Sequence, residues 1–451
     1  MTVHRWFALA TIGVLLSASS PPAQVSEMEA KRLEEIGLSA GTVLGKDNAH
    51  LAKDLLPPEI LAYYEKGEWS NRIEDWPLGM YQWDDEFKKA NEENVANIDL
   101  DENGGIIDKR SGKYPDYLYG YPFPKIDPND PKAGAKIVWN QMYLIFAHLT
   151  DANYYVDIVW MSRSGIDRIS RQQVYFKYWD GQKRKYLPPE NPQQLLQQYI
   201  AAAESPQDLY GTTALQWRFK TGKRDLMWAY VPALRRIRSV SPANRSDGFL
   251  GSDISQDDGP FFDGLPSDFD WKLAGEGEML RLTDPYSLKG DVGREPLPDG
   301  TYREKIRTDV TVFGAQDPNW KGLPWAPVAP VLTKRPVWIV EGTPKDKYYL
   351  YGTIQLMIDK ETFAGVYNRK FSWQGEHLHD YIPTGFMTKE SIAPDGEKEY
   401  FWSGAIQYFS GINFKNDRAS NVSFPRGTYA IRHYKYPPNF FDYQTLYRFG
   451  Q

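Results

Sequence analysis

Residues 214–220 read Ala214-Leu215-Gln216-Trp217-Arg218-Phe219-Lys220, in which Leu215, Trp217 and Phe219 alternate with Gln216, Arg218 and Lys220. A period of two is the period of a strand, because successive side chains leave a pleated backbone on opposite faces. One apolar and one polar face is the pattern of an antiparallel strand with a dry side and a wet side. The same period recurs upstream, where Tyr154, Val156, Ile158 and Trp160 share one face and Val174 to Trp179 is an aromatic run. It recurs downstream over 336–342, 348–359, 363–373, 400–409 and 429–433, with Asp359-Lys360-Glu361-Thr362 as a polar hairpin turn. From Lys136 onward the pattern predicts one extended, mostly antiparallel sheet overlaid by a few helices. One helix is expected inside that region, over Pro192–Glu204, where Leu195, Leu196, Tyr199 and Ile200 form a stripe.

The quoted strand leads into residues 223–278. There Trp228 and Tyr230 precede a turn at Pro232, and the next strand carries Arg235, Arg236 and Arg238. An acidic, Gly-punctuated segment with Asp253, Asp257 and Asp258 follows, then Phe269-Asp270-Trp271. Two roles fit the arginines. Guanidinium groups pair bidentately with phosphate or carboxylate, which suits an anionic headgroup. They also suit structural ion pairs with Asp253, Asp257 or Asp258, since a loop of this length closes at little entropic cost.

Residues 1–23 have the order of a secretory signal: His4 and Arg5, an apolar run from Trp6 to Leu16, then small residues from Ser17 to Ser20. The run is shorter than the roughly 20 residues a membrane helix needs. The expectation is export to the periplasm, cleavage, and a mature chain without a transmembrane segment. Residues 24–135 are expected to be helical and irregular, with helices over Pro58–Tyr64 and Asp84–Val95, the second capped by Asp84.

Composition narrows the function classes. The net charge of −6 argues against a nucleic-acid partner, which calls for a basic face. With no cysteine there is neither a disulfide nor a thiolate ligand or nucleophile. Aromatic residues make up 15% of the chain, which favours half-buried strands and also suits ligand grooves. No Gly-x-Ser-x-Gly elbow, phosphate-binding glycine loop or His-Glu-x-x-His helix occurs. His377 and His379 are spaced to share one strand face, yet no third ligand can be named, so the Glu376–Asp380 cluster reads as a solvated loop. No catalytic residue, metal site or cofactor is assigned.

Four stretches carry a family resemblance. Tyr121-Pro122-Phe123-Pro124 with Gly134 to Asn140, the run Trp228, Tyr230, Pro232, Arg235, Arg236 and Arg238, the segment Asp268 to Glu276, and Arg335 to Gly342 together resemble the signatures of the domain of unknown function 1329 family. The resemblance implies an α+β, β-rich fold: a curved antiparallel sheet, an incomplete barrel of the LolA/LolB type, with covering helices. It places this half-barrel in residues 136–451 and implies a periplasmic, non-enzymatic carrier for a lipid or other hydrophobic ligand. An outer-membrane protein or inner-membrane exporter would be its partner. On that reading the expected ligand wall is Trp139, Trp160, Trp217, Trp228, Tyr230, Trp338, Leu350 and Ile354, with Arg235, Arg236, Arg238, Asp253 and Asp258 as headgroup or structural ion pairs. The alternatives are an envelope glycan or lipid hydrolase using paired carboxylates, and a scaffold of an envelope complex without ligand of its own.

Overall fold

The computed structural model describes residues 33–77, 79, 81–220, 222–393 and 396–450. The secretory signal expected over residues 1–23 lies outside the described residues. Four short strands come first: β1 (Val43–Leu44) pairs with β2 (Asn71–Arg72), and β3 (Ile98–Leu100) with β4 (Ile106–Asp108). A meander follows through β5 (Ala152–Ser162), β6 (Gly165–Tyr178), β7 (Leu195–Ser205), β8 (Thr213–Phe219), β9 (Leu226–Val231) and β10 (Arg236–Val240). After β11 (Phe269–Thr283), β12 (Arg294–Pro296) and β13 (Tyr302–Glu304), a second meander runs through β14 (Val331–Pro344), β15 (Thr353–Asp359), β16 (Gly365–Phe371) and β17 (His377–Pro383). β18 (Met387–Ile392) and β19 (Lys398–Ser403) form a separate hairpin. β20 (Phe409–Asn413), β21 (Arg418–Ser423) and β22 (Ala430–Arg432) complete the set.

The ladder between β21 and β5 joins the two meanders into one antiparallel sheet of 16 strands. Its main path runs from β10 at one edge to β11 at the other and does not close, while β22, β13 and β12 branch from β5. The result is the β-rich, mostly antiparallel architecture that the two-residue period predicts, with the sheet left open as the family resemblance implies.

Helices are few. α1 (Pro58–Glu65) starts with Pro58 in its first turn, where the missing N–H costs nothing. α2 (Asp85–Asn97) is capped by Asp84, whose carboxylate accepts from the Phe87 N–H at 2.9 Å. α3 (Ala133–Leu149) is apolar on nearly all sides, with Ile137, Val138, Trp139, Met142 and Phe146 buried. It falls where the sequence reading starts the strands, at Lys136, so the two-residue period begins only at Ala152.

The helix expected over Pro192–Glu204 is the strand β7. Its stripe of Leu195, Leu196 and Ile200 is misleading because Gln197, Gln198 and Ala201 to Ala203 are buried as well. A strand flanked by β6 and β8 and covered on both faces loses the alternation that marks half-buried strands. At the start of the 348–359 run, Tyr348 is exposed, and the strand begins at Thr353.

Both faces of the sheet are covered. On the outer face, Leu44, Tyr64, Trp69 and Trp325 pack against Val337, Met357, Tyr367 and Ile412. Toward β10 the cover on that face changes to the C-terminal residues Phe441 and Leu446, against Tyr175, Ile200, Leu215 and Tyr230. On the inner face, α2 and α3 contribute Phe87, Ile137, Val138 and Leu144 to a core with Trp338, Val340, Ile354 and Leu356. The described residues contain no helix long and apolar enough to cross a membrane.

Candidate functional site: a covered cavity on the inner face

The inner face encloses a cavity of about 190 Å³ over β5 to β8. Register explains its floor. Tyr154 pairs with Val174 and Val174 with Ala201, while Phe176 pairs with Tyr199 and Tyr199 with Gln216, so these side chains share one surface. The segment 249–263 lies over it and contributes Phe249, Ile254 and Pro260, and Phe386, Trp402 and Phe409 close one side. Phe386 and Trp402 meet edge to face at 4.8 Å.

The acidic segment singled out in the sequence is therefore the cover. Asp253 fastens it to the sheet: its carboxylate accepts from Asn413 Nδ2 at 3.2 Å and Ser420 Oγ at 3.1 Å. Asp258 accepts from the Ser255 N–H at 2.6 Å and pairs with Lys370 on β16. The cover rests directly on backbone at Gly411, where a Cβ would lie 2.3 Å from the Asp253 carbonyl oxygen.

A buried charge cluster adjoins the cavity. Arg218 on β8 donates to Asp225 Oδ2 at 2.9 Å and to Asp263 Oδ1 at 2.9 Å. Arg245 donates to Asp257 at 2.6 Å and to Asp225 at 3.2 Å, and the Tyr349 hydroxyl donates to Asp257 at 2.7 Å. Burial pushes the Asp263 carboxyl up against the opposing pull of the two guanidinium groups. The polar face of β8, expected to be wet, is thus dry: Gln216 lines the cavity, Arg218 sits in this cluster and Lys220 pairs with Asp180 at 3.2 Å.

The eight residues expected to form the ligand wall stand elsewhere. Trp217, Trp228 and Tyr230 occupy the outer face beneath the C-terminal residues, and Trp217 Nε1 donates to the Phe441 carbonyl at 2.8 Å. Trp338 and Ile354 are inner-face core under the helices, and Trp139 belongs to α3, its Nε1 donating to Gly104. Trp160 is buried beneath the Arg168 guanidinium, and Leu350 is exposed. Tyr154, Val156 and Ile158, read from the sequence as the same face as Trp160, do line the cavity. Phe176, Tyr199 and the glutamines were missed because a wall of mixed aromatic and amide residues looks like an ordinary strand until the cover is placed over it.

The arginines and aspartates also separate. Arg235 takes a left-handed conformation at φ 48° and ends a short turn, and Arg236 and Arg238 are exposed on the edge strand β10. Among the described residues none of the three forms an ion pair with Asp253, Asp257 or Asp258, which pair instead with Arg418, Arg245 and Lys370. The loop between them folds back onto the inner face, whereas β10 lies at the sheet edge.

Within the Glu376–Asp380 cluster, His377 to Asp380 belong to β17 and only Glu376 stays in an exposed loop. A register shift between Lys370 and Phe371 in the β16–β17 ladder removes His377 from the face of His379. His379 turns toward Tyr351, and burial with the Lys370 charge lowers it to about 4. His377 is held between Asp380 at 2.7 Å and Glu59 of α1 at 3.1 Å. Glu59, His377 and Asp380 are close enough together to hold a cation, but Arg369 pairs with both carboxylates and His377 with the same two. Two positive groups already serve that site, which marks it as an ion-pair cluster.

The fold and the covered inner cavity define the class: an open antiparallel sheet that shelters a small apolar chamber on one face. The chain belongs to the family described as "Protein of unknown function (DUF1329)", whose pattern matches residues 43–403. No curated protein matches it. Among solved structures it is similar to a Vibrio parahaemolyticus domain described as outer membrane lipoprotein-sorting, with 14% identity, 71% of this chain and 100% of that one covered, and a TM-score of 0.44. A DUF1329 family protein from Desulfovibrio piger gives 14% identity, coverage of 71% and 99%, and a TM-score of 0.44. A LolA superfamily protein from Nitrosomonas europaea gives 11% identity, coverage of 69% and 98%, and a TM-score of 0.39.

Proposed function

We propose that this protein is a non-catalytic, exported carrier that holds an apolar small molecule in the inner-face cavity and hands it to an outer-membrane protein or an inner-membrane exporter. The observation that carries this reading is the cavity itself, walled by Tyr154, Val174, Phe176, Tyr199, Phe249 and Ile254 and covered by a discrete segment. Each methylene transferred there from water contributes about 0.8 kcal/mol, so a modest chain is held usefully. The signal-like order of residues 1–23 supports export. The carboxylates that a hydrolase would use speak for structure: Asp257 is taken by Arg245 and Tyr349, and Asp258 by Lys370. Release would require the cover to lift from β20 and β21, where Asp253 fastens it.

The test is mass spectrometry of the organic extract of mature protein, purified from the periplasm without detergent. A stoichiometric hydrophobic compound is the expected result. An empty extract, together with failure to take up the apolar dye N-phenyl-1-naphthylamine, would overturn the reading.

A further inference from the structure

Three glutamines in the cavity wall are incompletely bonded. Gln172 on β6, Gln197 on β7 and Gln407 between β19 and β20 all line the cavity, and they are only 1%, 5% and 8% exposed. The side-chain oxygen of each lacks a hydrogen-bond donor. For Gln172 the orientation of the amide is fixed by its neighbours. Its Nε2 donates to Ser170 Oγ at 2.7 Å, and that hydroxyl donates onward to the Ser205 carbonyl at 2.7 Å. The oxygen is therefore the atom left over. A buried acceptor without a donor carries an unrecovered desolvation cost, so a ligand that brings donors is favoured over one that does not.

The surrounding charges say what kind of ligand this is. Glu304 and Arg432, both in the wall, pair with each other at 2.6 Å. Asp263 is bound by Arg218 and Arg245. An anionic head would meet carbonyl oxygens, and a plain hydrocarbon would leave them unbonded. Donors complete them, and neutral ones, hydroxyl or amide N–H, do so without the cost of burying a charge. Their placement adds a length. Gln172 pairs with Ala203, six residues along β7 from Gln197, which separates the two by about 20 Å. Val174, Phe176, Tyr199 and Ala201 lie between them.

We infer that the ligand is an elongated, uncharged apolar molecule bearing hydroxyl or amide N–H groups at separated points, recognised by Gln172, Gln197 and Gln407. This rests on the carrier reading above. Each oxygen is closed over by its neighbours, and a side-chain shift, which for Gln172 also releases the Ser170 bond, presents it to the ligand.

The test compares two probes of nearly equal apolar area, 1-dodecanol and dodecyl methyl ether, as competitors of N-phenyl-1-naphthylamine bound to the full mature protein. The alcohol should displace the dye at about tenfold lower concentration, the value of one completed hydrogen bond at a buried acceptor. A single hydroxyl uses one glutamine at a time, so in the triple variant Gln172→Leu, Gln197→Leu, Gln407→Leu the ratio between the two competitors should fall toward one, with near-ultraviolet circular dichroism confirming a native fold. Equal potency in the wild type would overturn the inference while leaving an apolar-ligand carrier standing. A preference that survives in the triple variant would remove these glutamines as its source. Displacement by neither probe would sink both the inference and the reading beneath it.

Discussion

His377 Nε2 lies 2.7 Å from Asp380 Oδ1, and its other ring nitrogen lies 3.1 Å from Glu59 on α1. The ring links the N-terminal helix to strand β17. Burial opposes its charge, but the hydrogen bonds to Asp380 and Glu59 outweigh that and raise its pKa to about 9. Because the folded value is above the unfolded one of about 6.5, the protonated ring stabilises the fold fully below pH 6.5. That contribution fades as pH rises through about 9. His377→Gln should cost on the order of 2 kcal/mol at pH 6, allowing for solvent screening. The cost should shrink above pH 9, and urea denaturation at pH 6, 8 and 10 checks it. A pH-independent difference would mean that the ring is held as a neutral group.

Arg218 is fully buried and bridges Asp225 and Asp263. Removing one member of a buried ion cluster leaves charges without partners, and Arg218→Met should therefore cost about 3–5 kcal/mol. Lysine is not a substitute, since a single ammonium cannot reproduce the fork that reaches both carboxylates. Arg218→Lys should recover less than half of the loss in thermal unfolding. Full recovery would show that charge alone, and not the fork geometry, holds the cluster.

What the sequence made legible follows from how each strand is covered. In β5 and β8 apolar residues alternate with polar ones on at least part of the strand, and both are legible at nearly the right bounds. β7 escapes the pattern because both its faces are buried, and α3 because a helix buried on nearly all sides has no exposed polar stripe to set a period. The eight expected wall residues fall outside the cavity for a related reason. Alternation shows that Trp217 and Trp228 share a face with Leu215, but nothing local says that this face is sealed by Phe441 and Leu446, more than 200 residues later. The cavity depends on the pairing of β21 with β5 and on the fold-back of 249–263, both long-range events that no single window of sequence contains.

Gly411 is the point where the cover rests on the sheet. A methyl group there would sit 2.3 Å from the Asp253 carbonyl oxygen and 2.8 Å from Ile254 Cγ1. Gly411→Ala should push residues 253–254 away from β20 and loosen the Asp253 bonds to Asn413 and Ser420. Hydrogen exchange should then rise in the 249–263 segment, with strands β5 to β8 unchanged, and bound dye should dissociate faster. Uniform exchange across the sheet would indicate general destabilisation instead of a lifted cover.

Ala201 offers the most direct test of where ligand sits. It lies mid-floor, opposite Val174 on one side and Ala214 on the other, and is 1% exposed. Its methyl lines the cavity within a cluster that includes Val156 and Val174, so Ala201→Phe drives a ring from the packed floor toward the cavity. Such overpacking costs about 1–3 kcal/mol. Dye and alcohol binding, by contrast, should weaken at least tenfold, because the ring takes the place of several methylenes at about 0.8 kcal/mol each. A large loss of stability with little change in binding per folded molecule would put the ligand elsewhere, and a loss of binding in a stable protein fixes it on this floor.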